Sequence, residues 1–351
     1  MSAIDPDRLV QFCEQLFIAA GAPAETAGIV AQSLVYADLR GVDSHGVVRS
    51  EIYLERIARG MIDPNAHVQL KRDDGPVALM DGGNGFGAFV GVKALEACME
   101  RAKRFGVCAL GVQHSNHFGT GAFYVERAVE RDLALIVLSN ASQTMPATGG
   151  VRPFLGTNPI ALGFPTGREV PFILDMATSL VARGKIIMAV KKGLDIPHGW
   201  AVDANGAPTT DAQAALRGAV LPLGGPKGSG LSMAIDVLAG VLTGAGFGPS
   251  VRNMYEDWSR PQNVGHFFIA IDIARFLKPD QFRERIGRYI DQLKSEPRAE
   301  GVAEILYAGE AEYRVAKQRR AEGLTLPEQL KADLMRLGAR HAVPWPQDAM
   351  A

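Results

Sequence analysis

The sequence predicts an α+β fold, and the order of its apolar patterns supports that class. The first part of the chain shows only helical spacing, the middle part alternates strand-like with helix-like segments, and the last part is again helical. A chain of 351 residues can form two or three domains around a large core. We expect a helical domain over 1–70, completed by C-terminal helices of 312–351, and a mixed α/β region over 71–311.

The N-terminal part is predicted to be helical. Apolar residues recur at helical spacing over 7–36, and Gly21-Ala22-Pro23 interrupts them, so two helices are expected there. A third helix is predicted to run through Val48 and Ile57 and to end near Gly60.

The middle of the chain is predicted to alternate between strands and helices. Short apolar runs predict strands at 76–81, 107–112, 133–139, 159–164 and 171–175. Amphipathic spacing predicts the intervening helices at 91–105 and 123–131.

The last third carries longer elements. Leu231 to Leu242 is nearly all apolar, which predicts a helix buried on most of its sides. His266 to Ile273 is predicted to be a buried strand, followed by helices over 278–293 and 327–337. The basic segment Arg314 to Arg320 is interpreted as a solvated face.

Composition excludes several classes of function. A formal net charge of -1 gives no reason to expect nucleic acid or a membrane surface as partner. The longest apolar runs, such as Leu133 to Leu138, are too short to span a bilayer, and the polar, acidic start is unlike a signal peptide. Cys13, Cys98 and Cys108 lie in apolar stretches and are predicted to be buried thiols in a reducing compartment. We therefore expect a cytoplasmic protein.

The most informative local pattern is Gly41 to Arg49, which places Ser44, His45 and Arg49 within one predicted helical turn. Positions four apart share a helix face, so His45 and Arg49 would point into one pocket. Imidazole exchanges protons near neutral pH, and guanidinium binds carboxylate through two parallel hydrogen bonds. The pattern favours chemistry on a small acid with a carbonyl or hydroxyl group. The alternative is a surface helix with solvated side chains.

A second polar segment places His114 and His117 three residues apart, directly after a predicted strand. Together with His45 they form a candidate metal site, as in a metal hydrolase. No cysteine or carboxylate cluster lies nearby in the sequence, and the spacing is shorter than that of H-E-x-x-H. The alternative is a polar loop at a strand end, where binding residues collect, and we expect no metal.

The glycine-rich segment Asp81 to Gly87 lies between a predicted strand and a predicted helix. Gly85, Gly87 and Gly91 are spaced more loosely than in the dinucleotide-binding fingerprint. The next predicted strand ends at Gln113, with no carboxylate to bind a ribose hydroxyl. We therefore interpret the glycines as a closely packed turn rather than an ordinary Rossmann site.

Two later loops carry candidate ligand-binding groups. Asp175 ends a predicted strand, where it serves an imidazole or a ligand hydroxyl, or caps a helix from Ala177 onwards. Leu223 to Gly230 opens the predicted apolar helix with several glycines and Lys227. This loop is either an anion cradle at a helix N-terminus or a plain glycine turn, and its residue order is not that of a P-loop.

Several motifs occur in the order typical of one protein family. They are Asp43-Ser44-His45-Gly46 with Arg49 and Tyr53, His114-Ser115-Asn116-His117-Phe118-Gly119, Leu155-Gly156-Thr157-Asn158-Pro159, Asp175-Met176-Ala177, Leu223-Gly224-Gly225-Pro226-Lys227-Gly228 and Gly265-His266-Phe267-Phe268. Over nearly its whole length the chain resembles the type-2 malate/L-lactate dehydrogenase family. That family also includes ureidoglycolate and sulfolactate dehydrogenases, 2,3-diketo-L-gulonate reductase and the Δ1-piperideine-2-carboxylate reductases.

This resemblance implies an oxidoreductase that uses NAD or NADP. Hydride would pass between the nicotinamide and C2 of a small 2-hydroxy, 2-oxo or cyclic 2-imino carboxylic acid. The implied fold is a non-Rossmann nucleotide-binding fold with a mixed, largely antiparallel sheet and a separate helical domain. The family also implies a homodimer with active sites near the subunit interface, and cofactor and substrate binding in the region 71–311.

The chemistry of the residues and the resemblance together predict roles for individual residues. The expected catalytic residues, with His45 as proton donor or acceptor, are His45, His117 and Asp175. The expected substrate-binding residues are Ser44, Arg49, Tyr53 and Thr157. The expected cofactor contacts are Asp175, Met176, Ala177, Lys227, Gly228, Gly309, Glu310 and Ala311.

Two departures from the family pattern leave the ligands open. Where the family usually has Pro-Gly-Glu, this chain has Ala308-Gly309-Glu310, and the segment Asn140 to Met145 lacks the basic residues that some members use on their substrates. The sequence therefore leaves open which acid is the substrate and whether NAD or NADP is used. The alternatives from other classes are a non-catalytic ligand-binding protein on the same fold and the metal hydrolase using His45, His114 and His117.

Overall fold

The computed structural model describes residues 3–346. The helices in this part of the chain are α1 (Pro6–Ala19), α2 (Ala24–Leu39), α3 (Ser50–Ala58), α4 (Gly87–Phe105), α5 (Ala122–Val129), α6 (Arg183–Lys192), α7 (Ala212–Arg217), α8 (Pro226–Asp236), α9 (Pro279–Ser295), α10 (Glu310–Glu322) and α11 (Glu328–Arg340). The strands are β1 (Gln69–Asp74), β2 (Val77–Asp81), β3 (Val107–Ser115), β4 (Leu133–Ser139), β5 (Met145–Pro146), β6 (Pro153–Leu155), β7 (Ile160–Phe164), β8 (Phe172–Met176), β9 (Ala201–Val202), β10 (Pro208–Thr209), β11 (Ala219–Val220) and β12 (Val264–Asp272).

A seven-stranded sheet in the order β1-β2-β3-β12-β4-β7-β8 lies at the centre of the molecule. Its β2–β3 pair is parallel, and all other neighbouring strands in it are antiparallel. The strand β12, late in the sequence, lies between β3 and β4 and makes ladders with both. The prediction of a mixed, largely antiparallel α+β protein is therefore confirmed.

Two large apolar cores carry this architecture. The first is formed by the N-terminal helices together with apolar residues of the C-terminal part, including Leu324, Leu334 and Leu337. The second lies between α4, α5 and the central sheet, and contains Leu95, Phe123, Leu135 and other apolar side chains. The division into a helical domain (1–70 with 312–351) and a mixed region (71–311) stays a prediction, and its ends at 1–2 and 347–351 lie outside the described residues.

Most predicted helices and strands occur where the apolar pattern placed them, including α1, α2, α3 and α9. The helix predicted from residue 91 begins earlier, at Gly87. A Cβ at Gly87 would lie 2.2 Å from the carbonyl oxygen of Asn116, and one at Gly82 would lie 2.9 Å from that of His114. The close packing predicted for the glycines of this segment is thus confirmed.

The prediction that Leu231 to Leu242 is buried on most sides is wrong. The helix α8 ends at Asp236 and continues as a π-helical turn, Val237–Val241. Val241 is 53% exposed and Leu242 is 63% exposed. Only one side of this segment packs against the sheet, through Ile235 and Ala239. An apolar sequence does not distinguish a face that packs on its own core from a face left for another surface.

The three cysteines are buried and free, as predicted. No helix within residues 3–346 combines the length and the apolar character that crossing a membrane requires.

Candidate active site

The segment that carries Ser44, His45 and Arg49 is not the single helical turn that the sequence predicted. It forms two successive 3₁₀ turns, Asp43–His45 and Val47–Arg49, separated by Gly46 in an extended conformation. Because Gly46 breaks the helical path, the four-residue spacing does not place His45 and Arg49 on one helix face. They come together through the turn itself.

Hydrogen bonds within this turn orient its polar side chains. The Ser44 hydroxyl lies 3.0 Å from His45 Nδ1. Arg49 Nε donates to the carbonyl oxygen of Ser44 at 2.7 Å. The first contact joins Ser44 to its neighbour His45, and the second crosses Gly46 to join Arg49 to Ser44. Together they hold the imidazole and the guanidinium on a common surface.

His117 reaches the same place from the loop after β3. Its ring centroid lies 5.4 Å from that of His45. Its Nδ1 lies 2.7 Å from the hydroxyl oxygen of Tyr53 on α3. Its backbone N–H donates to Gln262 Oε1 at 3.2 Å. The structure therefore brings together a group that we name the histidine cluster, defined by Ser44, His45, Arg49, Tyr53 and His117.

Burial and positive charge set the protonation of this cluster. Desolvation, and then the Arg49 charge, lower the pKa of His45 from 6.5 to about 4. Desolvation, Arg49 and His45 lower the pKa of His117 well below its usual value. Burial raises the pKa of Tyr53 to about 12. Both imidazoles are therefore neutral at pH 7, and the Arg49 guanidinium supplies the positive charge that would bind an anion.

Tyr255 belongs to this site and was missed in the sequence. The Arg49 guanidinium carbon lies 5.5 Å from the centroid of the Tyr255 ring. Tyr255 is 53% exposed, so its ring lies at the protein surface beside the guanidinium. A long sequence separation and an ordinary loop composition left no local signal for this contact.

His114 does not join the other two histidines. It adopts a positive φ of 53°, and its ring lies 3.0 Å from a carboxylate oxygen of Asp81. Among the described residues, no group of three or more His, Cys, Asp and Glu side chains is arranged to hold a metal ion. The geometry therefore does not support the hydrolase alternative that uses His45, His114 and His117.

Asp175 forms the centre of a second group of predicted site residues. It lies in β8, and its Oδ2 accepts the backbone N–H of Ala122 at 2.9 Å, where α5 begins. Desolvation raises its pKa from 3.8 to about 6, against the effect of the Ala122 and Gly121 N–H groups. The expectation that Asp175 caps a helix from Ala177 onwards is wrong, because the next helix begins at Arg183. Asp175 instead caps a helix distant in sequence.

The residues next to Asp175 connect it with Thr157 and Lys227. The carbonyl oxygen of Thr157 accepts the Thr178 N–H at 2.9 Å. The carbonyl oxygen of Thr178 accepts the N–H of Leu223, at the start of the Lys227 loop, also at 2.9 Å. We name this group the Asp175 cluster, and its members are Thr157, Asp175, Met176, Ala177, Lys227 and Gly228.

The Lys227 loop differs from the anion cradle that the sequence offered. The helix α8 begins at Pro226, so Lys227 lies within its first turn. The N–H groups of Gly228 and Ser229 donate to Leu223 and Gly225 carbonyls at 2.8 and 3.1 Å. Because these donors are already bonded, the exposed Lys227 ammonium is the group this loop presents to an anion.

The segment Gly309 to Ala311 packs beside β8. The N–H of Ile173 donates to the Ala308 carbonyl at 3.0 Å, and Gly309 has a φ of 94°. The Glu310 carboxylate is buried and pairs with Lys294 at 2.6 Å. Since that carboxylate is occupied within the fold, the segment can meet a cofactor through its backbone and through Ala311.

Buried hydroxyls near the Asp175 cluster fit a polar ligand. Within the part of the chain that is described, Thr120 Oγ1 and Ser179 Oγ are buried without a hydrogen-bond partner. Leaving such a group unpaired costs about 1–3 kcal/mol. Thr120 precedes the Gly121–Ala122 contact with Asp175, and Ser179 follows Ala177, so a polar ligand at this cluster could pair with them.

One contact links the histidine cluster to the part of the chain that follows the Asp175 cluster. A Cβ at Gly184, beyond the Asp175 segment, would lie 3.8 Å from Ser44 Cβ. This contact places the start of α6, the helix that follows the Asp175 segment, against the turn that carries His45. The predicted site residues therefore form two groups, one with histidines and a guanidinium and the other with a carboxyl group and an ammonium, and the start of α6 lies against the first of them.

Comparison with known proteins decides the family. The malate/L-lactate dehydrogenase family model matches residues 4–335. The chain belongs to this family. L-sulfolactate dehydrogenase of Methanothermobacter thermautotrophicus is 38% identical over 330 residues, which cover 93% of this chain and 94% of the relative. Ureidoglycolate dehydrogenase (NAD(+)) of Escherichia coli K12 is 34% identical over 93% of both chains.

A solved structure gives the same result. The crystal structure of malate dehydrogenase from Entamoeba histolytica superposes with a TM-score of 0.94 at 32% sequence identity. The match covers 98% of this chain and 99% of that one. The resemblance that the motifs implied is therefore confirmed along the whole length.

Proposed function

We propose that this protein is an NAD- or NADP-dependent dehydrogenase or reductase that acts at C2 of a small 2-hydroxy, 2-oxo or cyclic 2-imino carboxylic acid. The observation that carries the proposal is the histidine cluster, where two imidazoles 5.4 Å apart adjoin a guanidinium. Proton transfer at C2 and recognition of a neighbouring carboxylate need those groups together. By their names, the relatives given above act on sulfolactate, ureidoglycolate and malate.

His45 is the proposed acid or base. In the tautomer whose Nδ1–H donates to the Ser44 hydroxyl, Nε2 is free to accept a proton from a substrate hydroxyl. The lowered pKa keeps Nε2 unprotonated at neutral pH, as oxidation of a hydroxyl requires. A bound carboxylate would offset the Arg49 charge and so raise the pKa of His45 when the substrate is present.

Arg49 is the proposed carboxylate-binding residue, with Tyr255 covering one side of its guanidinium. The Tyr53 hydroxyl at His117 Nδ1 fixes the orientation of that ring. When Tyr53 donates in this contact, His117 carries its proton on Nε2 and can donate to the reacting oxygen or nitrogen. Ser44 and His117 thus orient the substrate atom on which His45 acts, and Thr157 is proposed as a further substrate contact.

The nucleotide is proposed to bind at the Asp175 cluster, since the donors and acceptors there fit it. Lys227 would pair with a phosphate, and Asp175 with Thr120 and Ser179 would hydrogen-bond polar groups of the cofactor. Met176, Ala177, Gly228, Gly309, Glu310 and Ala311 are proposed as further contacts. When bound, the nicotinamide supplies or accepts the hydride. Because the glycines of residues 82–87 are packed against backbone, we propose a nucleotide site of non-Rossmann type.

A substrate panel tests this function. Malate, lactate, sulfolactate, ureidoglycolate and a cyclic imino acid would each be offered with both nucleotides, and the nicotinamide absorbance followed. We expect turnover with at least one acid in a nucleotide-dependent manner. Nucleotide binding without turnover of any acid in either direction would favour the non-catalytic alternative instead.

We also propose that the protein is a homodimer. Besides the family resemblance, the support is the exposed apolar face on α8 and the turn after it. Its side chains are those of Leu231, Met233, Val237, Val241 and Leu242. An apolar face of this kind marks an interface more often than a free surface. In solution, light scattering should give twice the mass of the chain, and Leu242→Glu should reduce it to one chain.

The matched control is Phe276→Glu, which places the same charge at a residue 80% exposed near the end of β12. It should leave the dimer intact. A monomeric wild-type protein would refute the proposed assembly. We further propose a cytoplasmic location, because free buried thiols are typical of a reducing compartment.

A further inference from the structure

A buried carboxyl group lies directly beneath the turn that carries His45. Asp38, in the last full turn of α2, is 2% exposed. Its Oδ2 accepts the backbone N–H of Val47 at 2.8 Å. Val47 opens the second 3₁₀ turn, so this bond fixes the turn at the point between His45 and Arg49.

Gly46 shows how closely the turn and the carboxyl group meet. A Cβ at this position would lie 1.8 Å from Asp38 Oδ1, so no residue with a side chain fits there without moving Asp38. The backbone of the turn packs against both oxygens of the Asp38 carboxyl group. Asp38 therefore determines the path of the backbone between His45 and Arg49.

A second side chain holds the same turn from outside. Arg319, near the end of α10, donates through Nη1 to the carbonyl oxygen of Asp38 and to Asp43 Oδ1, the latter at 2.6 Å. Asp43 is the first residue of the turn. In addition, a Cβ at Gly41 would lie 3.4 Å from Val315 Cγ1 of α10. The turn is thus held between α2 and α10.

We propose that Asp38 and Arg319 are positioning residues for the proposed reaction, which fix the 43–49 turn and through it set His45 and Arg49 against the substrate. Neither residue faces the histidine cluster, and their hydrogen bonds go to the backbone and to Asp43. Their effect on the reaction is geometric. Two groups that must meet one small acid need placement within a fraction of an ångström, which a loop without supports does not provide.

The variants separate the two supports. Arg319→Ala removes the outer support, and Arg320→Ala, at the exposed neighbour in the same helix, is the matched control. Asp38→Ala removes the acceptor beneath Val47, whereas Asp38→Asn retains an oxygen acceptor of the same shape. If Asp38→Ala fails to fold, Arg319→Ala and Asp38→Asn still test the proposal, because both leave the core intact.

The first measurement does not depend on activity. Hydrogen–deuterium exchange followed by mass spectrometry reports the amides of 43–49 in the free protein. We expect faster exchange there in Arg319→Ala and Asp38→Ala, unchanged exchange in β4, and near wild-type exchange in Asp38→Asn and Arg320→Ala. Unchanged exchange of 43–49 in every alanine variant that folds would overturn the proposal, whatever the enzyme acts on.

The second measurement rests on the proposed function. With the best acid, Arg319→Ala should lower kcat about 10- to 100-fold, while nucleotide affinity stays within about twofold of wild type. The decisive form is a double-mutant cycle with His45→Ala. If Arg319 acts through His45, adding Arg319→Ala to His45→Ala should lower kcat by less than about twofold. Full additivity would show a general structural role and overturn the proposal.

Discussion

Burial lowers pKa values in the histidine cluster and raises the pKa of the carboxyl group in the Asp175 cluster. In the first, desolvation lowers the pKa of both imidazoles, that of His45 to about 4. In the second, desolvation raises the pKa of Asp175 to about 6. Both shifts favour the uncharged form of the group. At pH 7 both imidazoles are neutral, whereas Asp175 is still mostly ionised. The cationic side chains are Arg49 in one cluster and Lys227 in the other, and they mark the two proposed binding tasks.

The two cations differ in their surroundings. Arg49 is partly covered by Tyr255 and lies beside two neutral rings, so its charge acts through a medium of low polarity. Lys227 is exposed at the start of α8, where water and salt weaken its field. We therefore expect changes in the histidine cluster to affect the reaction strongly and changes at Lys227 to affect nucleotide binding modestly.

The largest expected effect is that of His45→Ala. Removing the proposed acid or base should lower kcat about 10²–10⁴-fold, the usual contribution of general acid–base catalysis. Nucleotide affinity, measured by fluorescence titration, should stay near wild type because the ring belongs to the other cluster. A fully active variant would move the role to His117, and a loss of nucleotide binding would show that the two clusters are not separate.

The second effect concerns Arg49→Lys. The charge is kept, but the planar pair of donors is lost, so the substitution should not be conservative. Loss of a charge-assisted hydrogen bond costs about 1.5–3 kcal/mol, or roughly a 10- to 150-fold decrease in kcat/KM.

The amide of the best acid is the control for Arg49→Lys. Because the amide offers no carboxylate, its turnover should depend much less on this change than that of the acid. An equal decrease for acid and amide would show that Arg49 does not bind the carboxylate.

The third effect is on pH dependence in the direction of hydroxyl oxidation. Neutral His45 accepts the proton, so activity falls as pH drops through its pKa. In the free protein that pKa is about 4, which sets the acid limb of kcat/KM. A bound carboxylate offsets the Arg49 charge but not the desolvation, which is the larger cause of the lowered pKa, so the acid limb of kcat should lie at a higher pH than that of kcat/KM.

This comparison is best made at one acidic pH. At pH 5, kcat/KM changes little for a group with a pKa of about 4, whereas kcat should be lowered more because the pKa of His45 is higher in the complex. Profiles of both constants against pH measure the separation. If both acid limbs coincide, the substrate does not neutralise Arg49 at the histidine cluster.

The sequence predicted the parts of this molecule where side-chain pattern and backbone shape agree. Apolar periodicity found α1 and α2, because one face of each helix packs on a core. Continuous apolar runs found β4 and β12, because both faces of these strands are covered. The apolar pattern missed β1, whose six residues are all exposed and, apart from Leu70, polar or charged. It also misjudged Leu231 to Leu242, because the pattern reports apolar character and not the surface that covers it.

The same limit applies within the site. The motif at Ser44, His45 and Arg49 identified the chemistry, but helical spacing gave the wrong geometry, since Gly46 and Asp38 shape the turn. Tyr255 and Arg319 contact the turn from more than two hundred residues away. Contacts of that kind depend on the packing of whole elements, and no local pattern in one sequence encodes them.

The smallest expected effect is that of Lys227→Ala, and it tests the other side of the comparison. An exposed ion pair contributes about 0.2–1 kcal/mol, so nucleotide affinity should weaken about twofold to fivefold at low salt and less at high salt. The control is Lys278→Ala, which removes an exposed lysine preceding α9 and should change neither ligand. Fluorescence titration measures the nucleotide affinity, and KM measures the effect on the acid. Unchanged nucleotide affinity with a raised KM would show that Lys227 faces the acid. Arg49 and Lys227 would then bind one ligand, and the assignment of substrate and nucleotide to separate clusters would be wrong.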